Sequence, residues 1–228
     1  MIPPFVVRQA ADQGIQVIAI TDHNAVANIE AVQKAAAADE KGLIVLPGME
    51  LQTREEVHVL CLFDTIDQVR TFGNWVENHL PNIPNNPDFF GEQFVVDETG
   101  DFIRREERLL LSSADASMTE AWHKVEELQG LFIPAHVNRK AFGLLAVLGF
   151  VPTDVPIEAL EISRHITPER ALLQYPQIKG YPLIQNGDVH SLDGYLGSTH
   201  LTVEDINIAE IRKAIRGQDG RSMQLFLP

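Results

Sequence analysis

Short apolar runs of strand type alternate with helix-period stretches along most of this chain, and that alternation restricts the fold more than any other feature. "VIAIT", "LIVLPGMEL", "EVHVLCLF", "LFIPAHV", "ALEIS", "YPLIQNGDVH" and a last "MQLFLP" read as strands. Helical stretches such as "PPFVVRQAADQG", "AVANIEAVQKAAAADEKG" and residues 66–79 lie between several of them. Strands alternating with helices build βα units around a mostly parallel sheet. Prolines suit the first turn of the first helix, Gly14 ends it, and Phe5, Val6, Ala10 and Ala11 can share its buried face. With 228 residues and 45% hydrophobic content the chain can bury a large core, and one barrel-like α/β layer over residues 1–228 accounts for the pattern better than two domains.

Residues 81–107 break the rhythm. "PNIPNNPDFF" holds too many Pro and Asn residues for regular structure, whereas "FVVDETGDFI" reads as a short hairpin turning at "DETG". The excursion is either a lid or a surface insertion.

Composition excludes several functions. The single cysteine, Cys61 in "HVLCLF", rules out an intramolecular disulfide and reads as a buried thiol. No apolar run approaches the about 18 residues needed to cross a bilayer, and "MIPPFVVRQA" lacks the basic start and cleavage site of a secretory signal. A cytoplasmic protein without a membrane partner is expected. A formal charge of −14 with no basic run opposes stable binding to duplex nucleic acid. Bound dications would reverse the sign locally, which keeps an anionic substrate open.

In a parallel barrel or open α/β sheet, chemistry collects beyond the carboxyl ends of the strands. His23 follows "VIAIT", Glu50 follows "IVLPGM", His136 follows "LFIPA", and Asp188 with His190 follows "PLIQNG". His58 begins its strand, but if "TREE" turns the chain back so that residues 49–51 and 57–59 run antiparallel, it can lie opposite Glu50. Singly, each His is an ordinary strand-end residue. Together these imidazoles and carboxylates form a donor set suited to zinc, manganese or iron. His79, His123 and His200 have no ligand-type partners nearby in sequence and read as surface or capping residues. Asp22 either orients His23 or caps a helix beginning at Ala25, with Asn24 an equal or better cap.

"IAITDHN", "PGMEL" followed by "HVLCLF", "IPAHVNR" and "NGDVHSLDGYLG" resemble, in order and spacing, the PHP (polymerase and histidinol phosphatase) superfamily over nearly the whole chain. That resemblance implies a distorted seven-stranded, TIM-like β/α barrel whose mouth holds up to three metal ions, and a metal-dependent phosphoesterase that attacks with a metal-activated water. It also implies that Glu50, His58 and His136 form one metal position, that Glu50 bridges to a second using Asp188, and that His23 and His190 belong to the remaining one. The expected substrate is a phosphorylated small molecule or an oligonucleotide.

The chain departs from the family by lacking the opening strand with its His-x-His motif. "MIPPFVVRQAADQGIQVIAITDHN" matches the helix and strand that follow that motif, so Met1 resembles an internal methionine and the first barrel strand is missing. Either the chain is truncated, the preferred reading, or a variant has shed the strand. In both cases fewer metals and a weakened or absent activity are expected. The open edge predicts a gap filled by another element, a neighbouring chain or loose packing, and it offers a route to an oligomer.

Phosphate oxygens need fixed donors. Arg139 is the first candidate, because a guanidinium can bind phosphate in a bidentate manner, and Lys140, Arg164 and His165 are expected near the same mouth. Surface salt bridges are the competing role for Arg139 and Arg164. Two other readings remain: an amidohydrolase-type hydrolase, whose strand-end Lys has no clear counterpart here, and a noncatalytic metal- or ligand-binding module.

Overall fold

Pro3 and Pro4 sit in the first turn of α1 (Pro3–Asp12), where a missing N–H costs nothing, and Gly14 ends the segment at φ +73°. The helix buries Pro3, Val6, Val7 and Ala10; Phe5, expected inside, is exposed. This computed structural model describes residues 1–226. After α1 come β1 (Val17–Ile20), α2 (Ile29–Ala38), β2 (Ile44–Gln52), β3 (His58–Leu62) and α3 (Ile66–Glu77). The excursion follows, with α4 (Pro87–Phe90), β4 (Phe94–Val96) and β5 (Phe102–Arg105). The second half runs α5 (Met118–Glu127), β6 (Leu131–Pro134), α6 (Leu144–Val147), β7 (Leu160–Glu161), α7 (Pro168–Gln174), β8 (Leu183–Ile184), β9 (Thr199–Thr202), α8 (Ile208–Arg216) and β10 (Ser222–Leu225). The final residues of the expected "MQLFLP" strand, 227–228, lie outside the described residues.

The main sheet has the order β1-β2-β3-β6. Only β1 and β2 pair in parallel; β2–β3 and β3–β6 are antiparallel, so the expected mostly parallel sheet is mixed. The cause is local. "TREE" closes a tight reversal in which Thr53 N donates to Val57 O and Glu56 takes φ +64°, and so short a loop can join only antiparallel strands. β2 changes partner at Gly48, where a Cβ would stand 2.8 Å from Thr21 Cγ2 and 3.2 Å from the Cys61 carbonyl. Only glycine lets the neighbouring strands close around that point.

Period-two alternation then sorts the faces. Met49, Leu51, Val59 and Cys61 enter the main core with Phe72 and Val76 of α3, a helix fixed at its start by a capping box between Thr65 and Gln68. Cys61 is fully buried, as expected. The opposite face carries Leu46, Leu60, Leu62, Leu131 and Ile133, with Glu50 and His58 at its far end.

β7 and β8 form a separate parallel pair, and Val137 N donating to Glu161 O at 2.8 Å joins that pair to the end of β6. Among the described residues the strands do not close into a barrel: β1 pairs only with β2, and β8 only with β7. Between those two edges lies a cavity of about 1480 Å³ whose walls include all of β1 and Ile184, with Leu60 and Ile133 on its floor. All four residues of β1 are half-exposed. The excursion forms the expected hairpin, with Asp97 accepting from Thr99 N and Asp101 N at the turn. Asn28 anchors it through Phe94 O and Val96 N, and Phe94 stands in the cavity wall.

Candidate metal centre

Glu50 and His58 meet because of the β2–β3 register, although not in the register expected. Glu50 pairs with Leu60 and His58 with Gln52, so the two are diagonal neighbours on one face, a spacing their side chains can span. His58 Nδ1 stands 3.1 Å from Glu50 Oε1. The His58 ring is stacked on Phe142 with centroids 4.6 Å apart, and Phe142 O accepts from His58 N.

His23 arrives from beyond β1 by a bridge to Glu50, in which Asn24 N donates to Glu50 O and Glu50 N to Asp22 O. Its Nδ1 lies 3.4 Å from Glu50 Oε2. His136 follows β6 at φ +31°, and its Nε2 lies 3.2 Å from Glu50 Oε1 and 3.3 Å from His58 Nδ1. Glu50 Oε1, His58 Nδ1 and His136 Nε2 thus form a nearly equilateral triangle of donors. Single donor atoms of His23, Glu50 and His58 also fall within 4.8 Å of one another.

Asp188 and His190 complete the rim from the loop after β8. The His190 ring is 5.9 Å from that of His23, and its Nδ1 is 3.5 Å from Asp188 Oδ1. Asp188 takes φ +47° and pairs with Arg139, whose Nη1 stands 2.5 Å from Asp188 Oδ2. Arg139 therefore reaches the mouth as expected, while Arg164 spends its guanidinium on the carbonyls of Gly187 and Gly194. Lys140 and His165 are exposed. His79 Nδ1 donates to Trp75 O, His123 is exposed, and His200 Nε2 donates to Gly197 O from within β9.

The electrostatics are those of an anion wrapped in imidazoles. Burial alone would raise the Glu50 pKa, but hydrogen bonds with His136 and His58 and the nearby His23 hold it well below the usual carboxylate range. Burial lowers the pKa of His23, opposed by Glu50. Glu50 thus stays ionised beside a His23 ring that burial shifts toward the neutral form, the protonation state a metal requires. The Nδ1 atoms of His23 and His136 are buried and without hydrogen-bond partners. Adjacent donors in a tetrahedral set with bonds of about 2.0 Å are separated by about 3.3 Å, which the 3.1–3.3 Å triangle matches. The residues present fit a divalent cation.

Asn24 and Asp22 make contacts other than the expected helix cap, and Glu161 and Phe142 support the rim without any motif marking them. Asn24 is not a helix cap, since α2 begins only at Ile29; its buried side chain accepts from Gln52 N and donates to Leu110 O and Ser112 O. Asp22 caps no helix at Ala25 either; its carboxylate is 3.5 Å from Asn28 Nδ2. Glu161, 4% exposed, accepts from His136 N and from Asn186 Nδ2, and burial pushes its pKa up to about 7 against those hydrogen bonds. "ALEIS" did contain the signal, a lone acid in an apolar strand. Phe142 is distant in sequence from His58, and no spacing pattern pairs the two.

The fold is shared with known proteins. A lesion-specific endonuclease, PfuEndoQ from Pyrococcus furiosus, superposes with a TM-score of 0.71 at 22% identity, covering 98% of this chain and 53% of that one. A two-domain protein from Bacteroides vulgatus, described as containing a predicted PHP-like metal-dependent phosphoesterase, matches with a TM-score of 0.54 at 11% identity over 99% of this chain and 60% of the other. The chain shares the fold of these solved structures. In sequence, the uncharacterized protein YqxK of Bacillus subtilis (strain 168) is 28% identical over 191 residues, 78% of this chain and 43% of that protein. The chain thus spans less than half of that relative and about half of the endonuclease. No protein-family model matches it.

Proposed function

We propose that this rim is the metal centre of a hydrolase acting on phosphate esters. The observation that carries the reading is the triangle of Glu50 Oε1, His58 Nδ1 and His136 Nε2, whose 3.1–3.3 Å edges suit donors sharing one cation. Those residues would hold one ion, Glu50 and Asp188 would serve a second, and His23 with His190 would serve the remaining position. When bound, divalent cations there supply Lewis acidity toward water and toward phosphoryl oxygens. Manganese, zinc and iron all suit the mixed nitrogen and oxygen donors.

The chain's own residues do the rest. Glu50 stays charged and keeps the imidazoles turned toward one point. Arg139 offers an exposed guanidinium at the mouth, next to Asp188, and binds a phosphate oxygen of the substrate. The likeness to a lesion-specific endonuclease supports an oligonucleotide ester as readily as a phosphorylated small molecule. The charge of −14 disfavours extended contact with a duplex backbone by this segment alone.

The slot between β1 and β8 belongs to the same reading. A strand laid there in parallel would pair the free edge of β1 and wall the rim beside His23, as the seven-stranded, TIM-like barrel of the resemblance would require. The open slot also favours the second reading, a binding module that holds metal without turnover.

The test is hydrolysis of a generic phosphomonoester and phosphodiester panel with added manganese or zinc, by the chain and by Glu50→Gln. Metal-dependent turnover lost in Glu50→Gln supports the hydrolase. Metal uptake without turnover, even after fusion of an apolar strand ahead of residue 1, supports the binding module. Absence of metal uptake overturns both.

A further inference from the structure

We infer that Glu161 is a positioning residue of the rim: its buried carboxylate ties the loop after β6 to the loop after β8 and so sets the spacing between His136 and Asp188. β6 and β7 belong to different sheets, and their carboxyl ends are not held by a continuous ladder. At the rim Glu161 bridges them from the buried side, beside the Asn138–Ser163 pair and the exposed Arg139–Asp188 pair. Its main-chain O accepts from Val137 N at 2.8 Å, its Oε2 accepts from His136 N at 2.9 Å, and its Oε1 accepts from Asn186 Nδ2 at 2.8 Å. One side chain therefore grips the backbone of one candidate ligand and a residue two positions from another.

Both gripped loops need holding. His136 sits at φ +31° and Asp188 at φ +47°, a region that residues other than glycine enter at a cost and keep only when surrounding bonds fix it. A carboxylate with two oxygens can accept from both N–H donors at once. A carboxamide of the same shape has one acceptor oxygen, and its NH₂ opposes the second donor. Glu161→Gln thus keeps the volume and removes half of the clasp. Nearby, Asn138 and Ser163 exchange hydrogen bonds, Ser163 N to Asn138 Oδ1 and Asn138 Nδ2 to Ser163 Oγ, so the chain stays docked in the variant while the ligand loop is released.

The inference rests on the metal-centre reading, and two measurements keep the two separable. Zinc(II) titration calorimetry reads the rim, and amide hydrogen exchange at His136 reads the clasp without any metal. We expect Glu161→Gln to weaken zinc binding about 10–100-fold, the usual effect of losing an outer partner of a ligand, and to speed His136 exchange about tenfold. Asn186→Ala, which removes only the second arm, should give a smaller loss of affinity, and it should add little in the Glu161→Gln background because both act through one link. Unchanged zinc affinity in Glu161→Gln overturns the inference, including the case where exchange rises and only local structure is affected. If the wild-type chain binds no zinc while Glu161→Gln still speeds His136 exchange, the clasp stands and the metal-centre reading falls.

Discussion

Individual residues carry this rim through unlike kinds of support. Glu50 is central because its carboxylate faces the imidazoles of His23, His58 and His136 at once, so its replacement removes the common anchor. Glu50→Gln should reduce zinc or manganese affinity by more than the about 10–100-fold typical of outer partners, measured by calorimetry. His58 owes its ring plane to Phe142, which is partly exposed and lies flat against it. Phe142→Ala should cost about 0.5–1.5 kcal/mol of stability, the usual worth of an aromatic pair beyond burial, read by urea unfolding. The candidate ligands were legible in sequence because each follows or begins an apolar run, and strand ends on one rim must converge. Glu161 and Asn24 were not, because their work is done through hydrogen bonds to backbone distant in sequence, which no spacing rule exposes.

At the scale of elements, the alternating runs marked the strands of the main sheet well but gave their direction poorly. A mostly parallel sheet is expected from the alternation; the antiparallel turn at "TREE" is found, but β6 also runs against β3, and the actual register places His58 opposite Gln52 rather than Glu50. Both residues still point the same way, because a shift of two residues preserves the face. The partner switch in β2 depends on Gly48. Gly48→Ala should destabilise the chain by about 1–3 kcal/mol through overpacking against Thr21 and Cys61 O, measured by denaturant titration. On α8, Arg221, then Lys213, then the N–H of Glu204 hold the Glu210 carboxyl down to about 2 from its ordinary 4.5. Because the folded chain favours the charged form, this contribution is in place above about pH 4.5 and is lost as the pH falls toward 2. The melting temperature of Glu210→Gln should therefore converge on that of the wild type across that acid window.

Over the whole molecule, the decisive feature is the opening between β1 and β8. The described residues leave the outer edges of β1 and β8 unpaired along a largely apolar slot. Unpaired strand edges beside apolar surface expose backbone donors and acceptors, a combination that extended segments satisfy by strand addition. Fusing an alternating apolar strand of about five residues ahead of residue 1 should raise the melting temperature and protect the β1 amides from exchange. A charged strand of equal length should do neither.

The central claim is that Glu50, His58 and His136 share one cation. Anomalous diffraction from crystals grown with manganese, recorded at the manganese edge, tests it most directly. The account predicts a peak bonded to Glu50 Oε1, His58 Nδ1 and His136 Nε2. Fully soaked crystals with no peak at that triangle, or with manganese bound only elsewhere, would contradict it.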